Sequence, residues 1–133
     1  MATSVGSTTT IRLPWAPLSV SVARRRLQEW LSQQGESVDF IEDARVVVSE
    51  LVSNSVRHAQ PLADGSIVVA WRMAEPGVQL SVTDGGAETM PRNVHAPPLA
   101  PAGRGIAIVE MLAHRWWAER TSSHCTVHAL LRA

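Results

Sequence analysis

The run from Phe40 to Ala59 constrains the fold of this chain more than any other stretch, because it reads as one long helix with two different sides. At about 100° per residue, Asp43, Glu50, Asn54 and Arg57 fall within about 60° of one another. Ile41, Val48, Val52, Ser55 and Ala59 gather on the opposite side. A helix of that kind packs its apolar side on a second layer and leaves a polar stripe for other work. Glu50 and Asn54 are four apart, so their side chains are neighbours. Asn is a poor helix former, expected at caps, yet this one lies inside the last turns. An amide oxygen beside a carboxylate suits a hard cation such as Mg²⁺ that keeps several waters. One acid and one amide do not hold Mg²⁺ alone, so phosphates of a substrate would complete the shell.

The rest of the chain supplies the second layer. Ile11, Leu13 and Trp15 alternate with polar residues or proline, which predicts a half-buried first strand. Ser19 is the expected cap of a first helix over about 20–34, with Gly35 as its stop. Ser37 or Asp39 would cap the long helix. Residues 66–73 and 78–84, joined by the turn signal AEPG, predict an antiparallel hairpin. Val78, Leu80 and Val82 point one way and Gln79, Ser81 and Thr83 the other, so one sheet face is covered and the other more open. Residues 85–104 hold four prolines and three glycines and no periodic pattern; a loop of that length in a compact domain is usually functional or mobile. A third helix starts near Gly105 and ends around His114, and 115–121 and 125–132 are further strands, with Trp116 and Trp117 on opposite faces. The order β-α-α-β-β-loop-α-β-β predicts an α/β two-layer sandwich, a mixed, mainly antiparallel sheet with helices on one face.

Composition narrows the chemistry. The chain has 133 residues, one domain's worth, read as a flexible arm over 1–8 and a single domain over 9–133. Its 12 basic and 12 acidic residues balance, which gives no reason to expect nucleic acid. All the basic residues are arginine, so a P-loop lysine or a Schiff-base lysine is excluded. Phosphates must be met by backbone amides, arginine or a metal. Tyrosine is absent and there is one cysteine, Cys125. A disulfide framework within the chain is therefore excluded, and a reducing, cytoplasmic setting is expected. No apolar run reaches membrane-spanning length, and the first ten residues lack the regions of a signal peptide. His124, Cys125 and His128 do not read as a metal site, because Cys125 and His124 point to opposite sides of a strand.

Two glycine motifs complement the helix. In VTDGGAE, Asp84 ends a strand and Gly85 and Gly86 follow, a carboxylate placed to accept a hydrogen bond from a ligand's amino group while the glycines allow close approach. In GRGIAIVEML, Gly103 and Gly105 lead into a helix whose first N–H groups can bind phosphate, with Arg104 adding charge. In sequence order, a Glu-x-x-x-Asn helix, an Asp-Gly-Gly strand end, a Pro/Gly-rich loop and a Gly-x-Gly helix start resemble the GHKL superfamily of histidine-kinase-like ATP-binding domains, from about Thr10 to Arg132. The short chain and Arg-rich first helix look like its anti-sigma-factor serine/threonine kinases.

That resemblance implies roles residue by residue. Glu50 would be the general base for the attacking hydroxyl, and Asn54 the Mg²⁺ ligand. Asp84 would bind the adenine amino group, with Gly86 shaping the pocket. Residues 87–102 would form the ATP lid, with Gly103, Arg104 and Gly105 closing over the phosphates. Arg57 either pairs with Glu50 or reaches a phosphate, and His58 reads as a cation on the helix dipole; both join the candidate nucleotide contacts. Arg24, Arg25 and Arg26 would face a protein partner. The implied partners are a sigma factor and a STAS-domain anti-sigma-factor antagonist, with a homodimer from the family's dimerising habit, and no membrane. The family's strand-end motif has a second glycine where this chain has Glu88. A nucleotide-binding partner-switching module that transfers no phosphate is therefore the alternative.

Overall fold

The computed structural model describes residues 7–86 and 104–133, apart from the side chains of Arg104 and Gly105. Eight elements follow in the expected order: β1 (Thr9–Pro14), α1 (Leu18–Gln33), α2 (Val38–His58), β2 (Ser66–Ala74), β3 (Gly77–Asp84), α3 (Arg104–Leu112), β4 (Arg115–Arg120) and β5 (Cys125–Arg132). The five strands form one sheet in the order β1-β2-β3-β5-β4. Among the described residues all four pairings are antiparallel, where the sequence reading expects a mixed, mainly antiparallel sheet.

Period-two alternation divides the sheet faces as the sequence predicts. Val78, Leu80 and Val82 of β3 are buried, with Ile67, Val69 and Trp71 of β2 and Val127, Ala129 and Leu131 of β5 on the same face. The helices cover that face through Leu27 and Leu31 of α1, Val47, Val48, Leu51 and Val52 of α2 and Val109 of α3. The opposite face carries a half-buried polar row in which His128 meets Glu119 at 2.7 Å and Gln79 at 3.3 Å. Trp117 stacks on His128 there. Trp116, on the other face, donates its indole N–H to Glu110 of α3. Leu80 is fully buried on a central strand. Leu80→Ala is expected to cost about 2–5 kcal/mol of stability, read as a lower denaturant midpoint with an unchanged slope.

Local signals work with one correction. Ser37 caps α2 by accepting a hydrogen bond from the Phe40 N–H at 3.1 Å. Gly35, past the end of α1, takes φ +80°, the left-handed conformation that ends helices. Ser19 does not cap α1. That helix begins at Leu18, with Pro17 at the cap position. Ser19 lies inside the first turn and donates its hydroxyl to the Pro14 carbonyl at 2.6 Å, tying α1 to the end of β1. The N–H groups of Ser19 and Val20, which a cap side chain would serve, donate instead to the Ala16 and Pro17 carbonyls at 3.0 and 3.1 Å. Among the described residues no helix is long and apolar enough to cross a membrane.

Candidate functional site

The site is built on the last three turns of α2 and the end of β3. Glu50 is half-buried and lines a hollow of about 290 Å³ on the outer side of α1 and α2, with Arg24, Glu42, Arg45, Val46 and Ser49. The two guanidiniums are engaged elsewhere: Arg45 pairs with Glu42 at 2.7 Å, and Arg24 donates to the Ser49 hydroxyl at 3.3 Å. Among the described residues, no hydrogen bond or ion pair holds the Glu50 carboxylate. Of the two alternatives for Arg57, the pairing with Glu50 is not formed; Arg57 and His58 are both exposed in the last turn of α2. The Arg57 guanidinium at that end also favours the helix dipole.

Asn54 departs from the simple picture of a solvated stripe. It is 4% exposed, inside the molecule rather than on its surface. Its Nδ2 donates to the Glu50 carbonyl at 2.9 Å, which fixes the amide and assigns Oδ1 as its free ligating atom. An amide oxygen held in this way suits Mg²⁺ chemistry, and the donor set suits an ion that brings phosphate and water ligands. Among the described residues there is no group of three or more His, Cys, Asp or Glu able to hold a metal unaided.

Asp84 falls on the covered face of the sheet because it continues the alternation of Val78, Leu80 and Val82. It is 6% exposed. Its Oδ2 accepts a hydrogen bond from the Ser55 hydroxyl, and its Oδ1 accepts one from the Gly86 N–H at 2.8 Å. Burial pushes the Asp84 carboxyl above its ordinary pKa, and these two donors pull the other way. Cys125 stands directly opposite Asp84 in the β3–β5 ladder. Burial and the nearby Asp84 charge raise its thiol pKa, opposed by Arg120.

The two glycines after Asp84 do different jobs. A side chain on Gly85 would put its Cβ 2.1 Å from the Pro61 carbonyl oxygen. Its N–H donates to Gln60 O at 2.7 Å. Gly85 is therefore required by the chain after α2, a packing reason that the reading of both glycines as room for a ligand does not supply. Gly86 has φ +84°, open space where a Cβ would stand, and the N–H that holds Asp84. That N–H fixes one oxygen of the Asp84 carboxylate. Beyond it, at the end of the sheet, lies a second hollow of about 550 Å³, lined by residues including Gln60, Pro61, Gly86 and Ser123.

The structure thus brings Ser55 and Asp84 together, with Asn54 the preceding residue of α2 and Glu50 one turn earlier, bonded through its carbonyl to Asn54. Ser55 was placed by periodicity among the packing residues, and the missed signal is a hydroxyl on the apolar side of a helix that ends beside an acidic strand end. Arg24 is half-buried on α1, whereas Arg25 and Arg26 are exposed. Arg104 and Gly105 open α3. The expected lid over 87–102, Glu88 and Gly103 lie outside the described residues.

Comparison with known proteins identifies the family. Residues 13–129 match the model of the histidine kinase-like ATPase domain, and the chain belongs to that family. The serine-protein kinase RsbW of Oceanobacillus iheyensis is 30% identical over 114 residues, covering 77% of this chain and 72% of that protein. RsbW of Listeria innocua is 38% identical over 78 residues, covering 58% of this chain. The chain spans about half the length of this Listeria relative, 50% of it. In the SiaB–SiaC complex of Pseudomonas aeruginosa, one chain superposes with a TM-score of 0.65 at 12% identity, over 91% of this chain and 87% of that one. That likeness concerns the fold alone.

Proposed function

We propose that this chain is a Mg²⁺-ATP-dependent protein serine/threonine kinase that acts as an anti-sigma factor. It would phosphorylate a serine of a STAS-domain anti-sigma-factor antagonist and sequester a sigma factor in the cytoplasm. The observation that carries the reading is the unengaged Glu50 carboxylate facing an open hollow, one turn from a buried Asn54 and linked through α2 to Asp84. The family membership, and relatives named as serine-protein kinases, support it.

In this reading Asp84 accepts a hydrogen bond from the adenine amino group, in surroundings dry enough to strengthen it. Asn54 Oδ1 is the protein's ligand to Mg²⁺, and the ion when bound neutralises charge on the phosphates. Glu50 orients the incoming serine hydroxyl and takes its proton. The serine oxygen forms a bond to the γ-phosphorus as the bond to the β–γ bridging oxygen breaks, and ADP leaves. The half-buried setting of Glu50 suits a base that must meet a protein substrate from outside. Arg24 of α1, which lines that hollow, and its neighbours Arg25 and Arg26 are proposed to meet the partner. The resemblance extends the same expectation to a homodimer.

The test is transfer of the γ-phosphoryl group from Mg²⁺-ATP to a purified STAS-domain antagonist from the same cell. Phosphoserine on the antagonist, lost when its acceptor serine is replaced by alanine, is the expected result. Glu88 in place of the family's glycine favours one other reading, a nucleotide-binding switch without transfer. Saturable ATP binding with no phosphoserine on any STAS partner would select it.

A further inference from the structure

The Ser55 hydroxyl has a role that α2 itself does not explain. A helical serine commonly points its hydroxyl to solvent or turns it back to the carbonyl four residues earlier. Ser49, on the same helix, does so, donating to the Arg45 carbonyl at 2.7 Å. Ser55 instead reaches across the interface and donates to Asp84 Oδ2, a residue 29 positions away. Both partners are buried, at 5% and 6% exposure. Ser55 is also held from its other side: its carbonyl accepts the Trp15 indole N–H at 3.0 Å and the Ala59 N–H at 3.2 Å. The donor is thus anchored by the β1–α1 connection and by its own helix.

The consequence concerns Asp84. The terminal torsion of an aspartate is broad and two-fold, so one hydrogen bond leaves the carboxylate plane free to swing. Two donors on its two oxygens, Ser55 on Oδ2 and the Gly86 N–H on Oδ1, fix that plane. A carboxylate offers about four acceptor positions, so a fixed pair remains for a ligand's N–H donors. We infer that Ser55 is the positioning residue that orients Asp84 toward the exocyclic amino group of a purine nucleotide. This inference rests on the proposed function's assignment of Asp84 to the base.

The experiment compares ATP with purine riboside triphosphate, which lacks the 6-amino group. Wild-type protein is expected to bind ATP at least about tenfold more tightly. Ser55→Ala is expected to raise the KM for ATP about fivefold, leave kcat within about twofold, and shrink the preference for ATP toward about twofold. Its affinity for purine riboside triphosphate and its far-UV spectrum should stay as in wild type, which a merely structural role would not predict. If Ser55→Ala does not fold, Ser55→Cys, close in size with a weaker donor, takes its place and should lie between the two. A wild-type preference that survives intact in the variant overturns the role of Ser55 alone. No preference in the wild type overturns the assignment of Asp84, and the role of Ser55 with it.

Discussion

Glu50→Gln is expected to slow phosphoryl transfer by about 10²–10⁴-fold while leaving Mg²⁺-ATP affinity within about twofold. The substitution keeps the shape of the side chain and removes the proton acceptor. Little else should change, because among the described residues no ion pair or hydrogen bond depends on that carboxylate. The bond that ties this turn to the site runs from Asn54 to the backbone carbonyl of residue 50, which glutamine retains. Filter binding and transfer assays on one preparation separate the two quantities. Transfer at the wild-type rate would remove Glu50 from the mechanism, and loss of ATP binding would make it a structural residue instead.

Asp84→Asn carries the other large effect, and its two parts have opposite signs. Nucleotide affinity should fall by about 10- to 100-fold, as expected when a charged acceptor to a buried donor is lost. Stability of the free protein should rise. The folded-state pKa of Asp84 lies above its unfolded value because of burial. At pH above both values the carboxylate is charged in both states and burial costs stability; as pH falls through the folded value, the folded protein takes up a proton and that cost is relieved. Asparagine removes the charge and can still accept from the Gly86 N–H and from the Ser55 hydroxyl or donate to that hydroxyl. A gain of about 1 kcal/mol would raise Tm by roughly 3–5 °C at pH 7, with the gain shrinking in more acidic buffer. Calorimetric unfolding at two pH values, beside nucleotide titration, checks both signs. A destabilised Asp84→Asn would mean that the Ser55 and Gly86 contacts outweigh the cost of burial.

Much of the fold is legible in the sequence because two periodicities carry it. The 2-residue alternation of Val78, Leu80 and Val82 assigns the covered face of β3, and extending it by one step places Asp84 on that face, beside the helices. The 3.6-residue pattern of 40–59 finds α2 and the turn that holds Glu50 and Asn54. Periodicity assigns directions, however, and not partners. It places Ser55 on the packing side, correctly, but cannot show that its hydroxyl ends on Asp84, since that depends on how far α2 runs past the end of β3. Nor can it show that Asn54, only about 40° round the helix from Glu50, is buried while Glu50 opens to a hollow. That difference is set by what packs against each. Gly85 is a similar case: DGG reads as a ligand-accommodating turn, and only the return of the chain through Gln60 and Pro61 shows which glycine is needed for packing. The serine expected to cap α1 fails for a local reason, because the helix begins at Leu18 and Ser19, inside its first turn, donates to Pro14.

The helix that opens this chain's chemistry therefore works on two sides at once. Its apolar side seats it on the sheet, and the same side ends in Ser55 and the buried acid. Its outer side leaves Glu50 available. Both halves presuppose a nucleotide lying along the last turns of α2. Isothermal titration of the purified chain with Mg²⁺-ATP tests that most directly. The predicted result is saturable binding of one nucleotide per chain with Kd in the range of about 1 μM to 1 mM, weakened in Asp84→Asn and retained in Glu50→Gln. Absence of binding at millimolar ATP would contradict it.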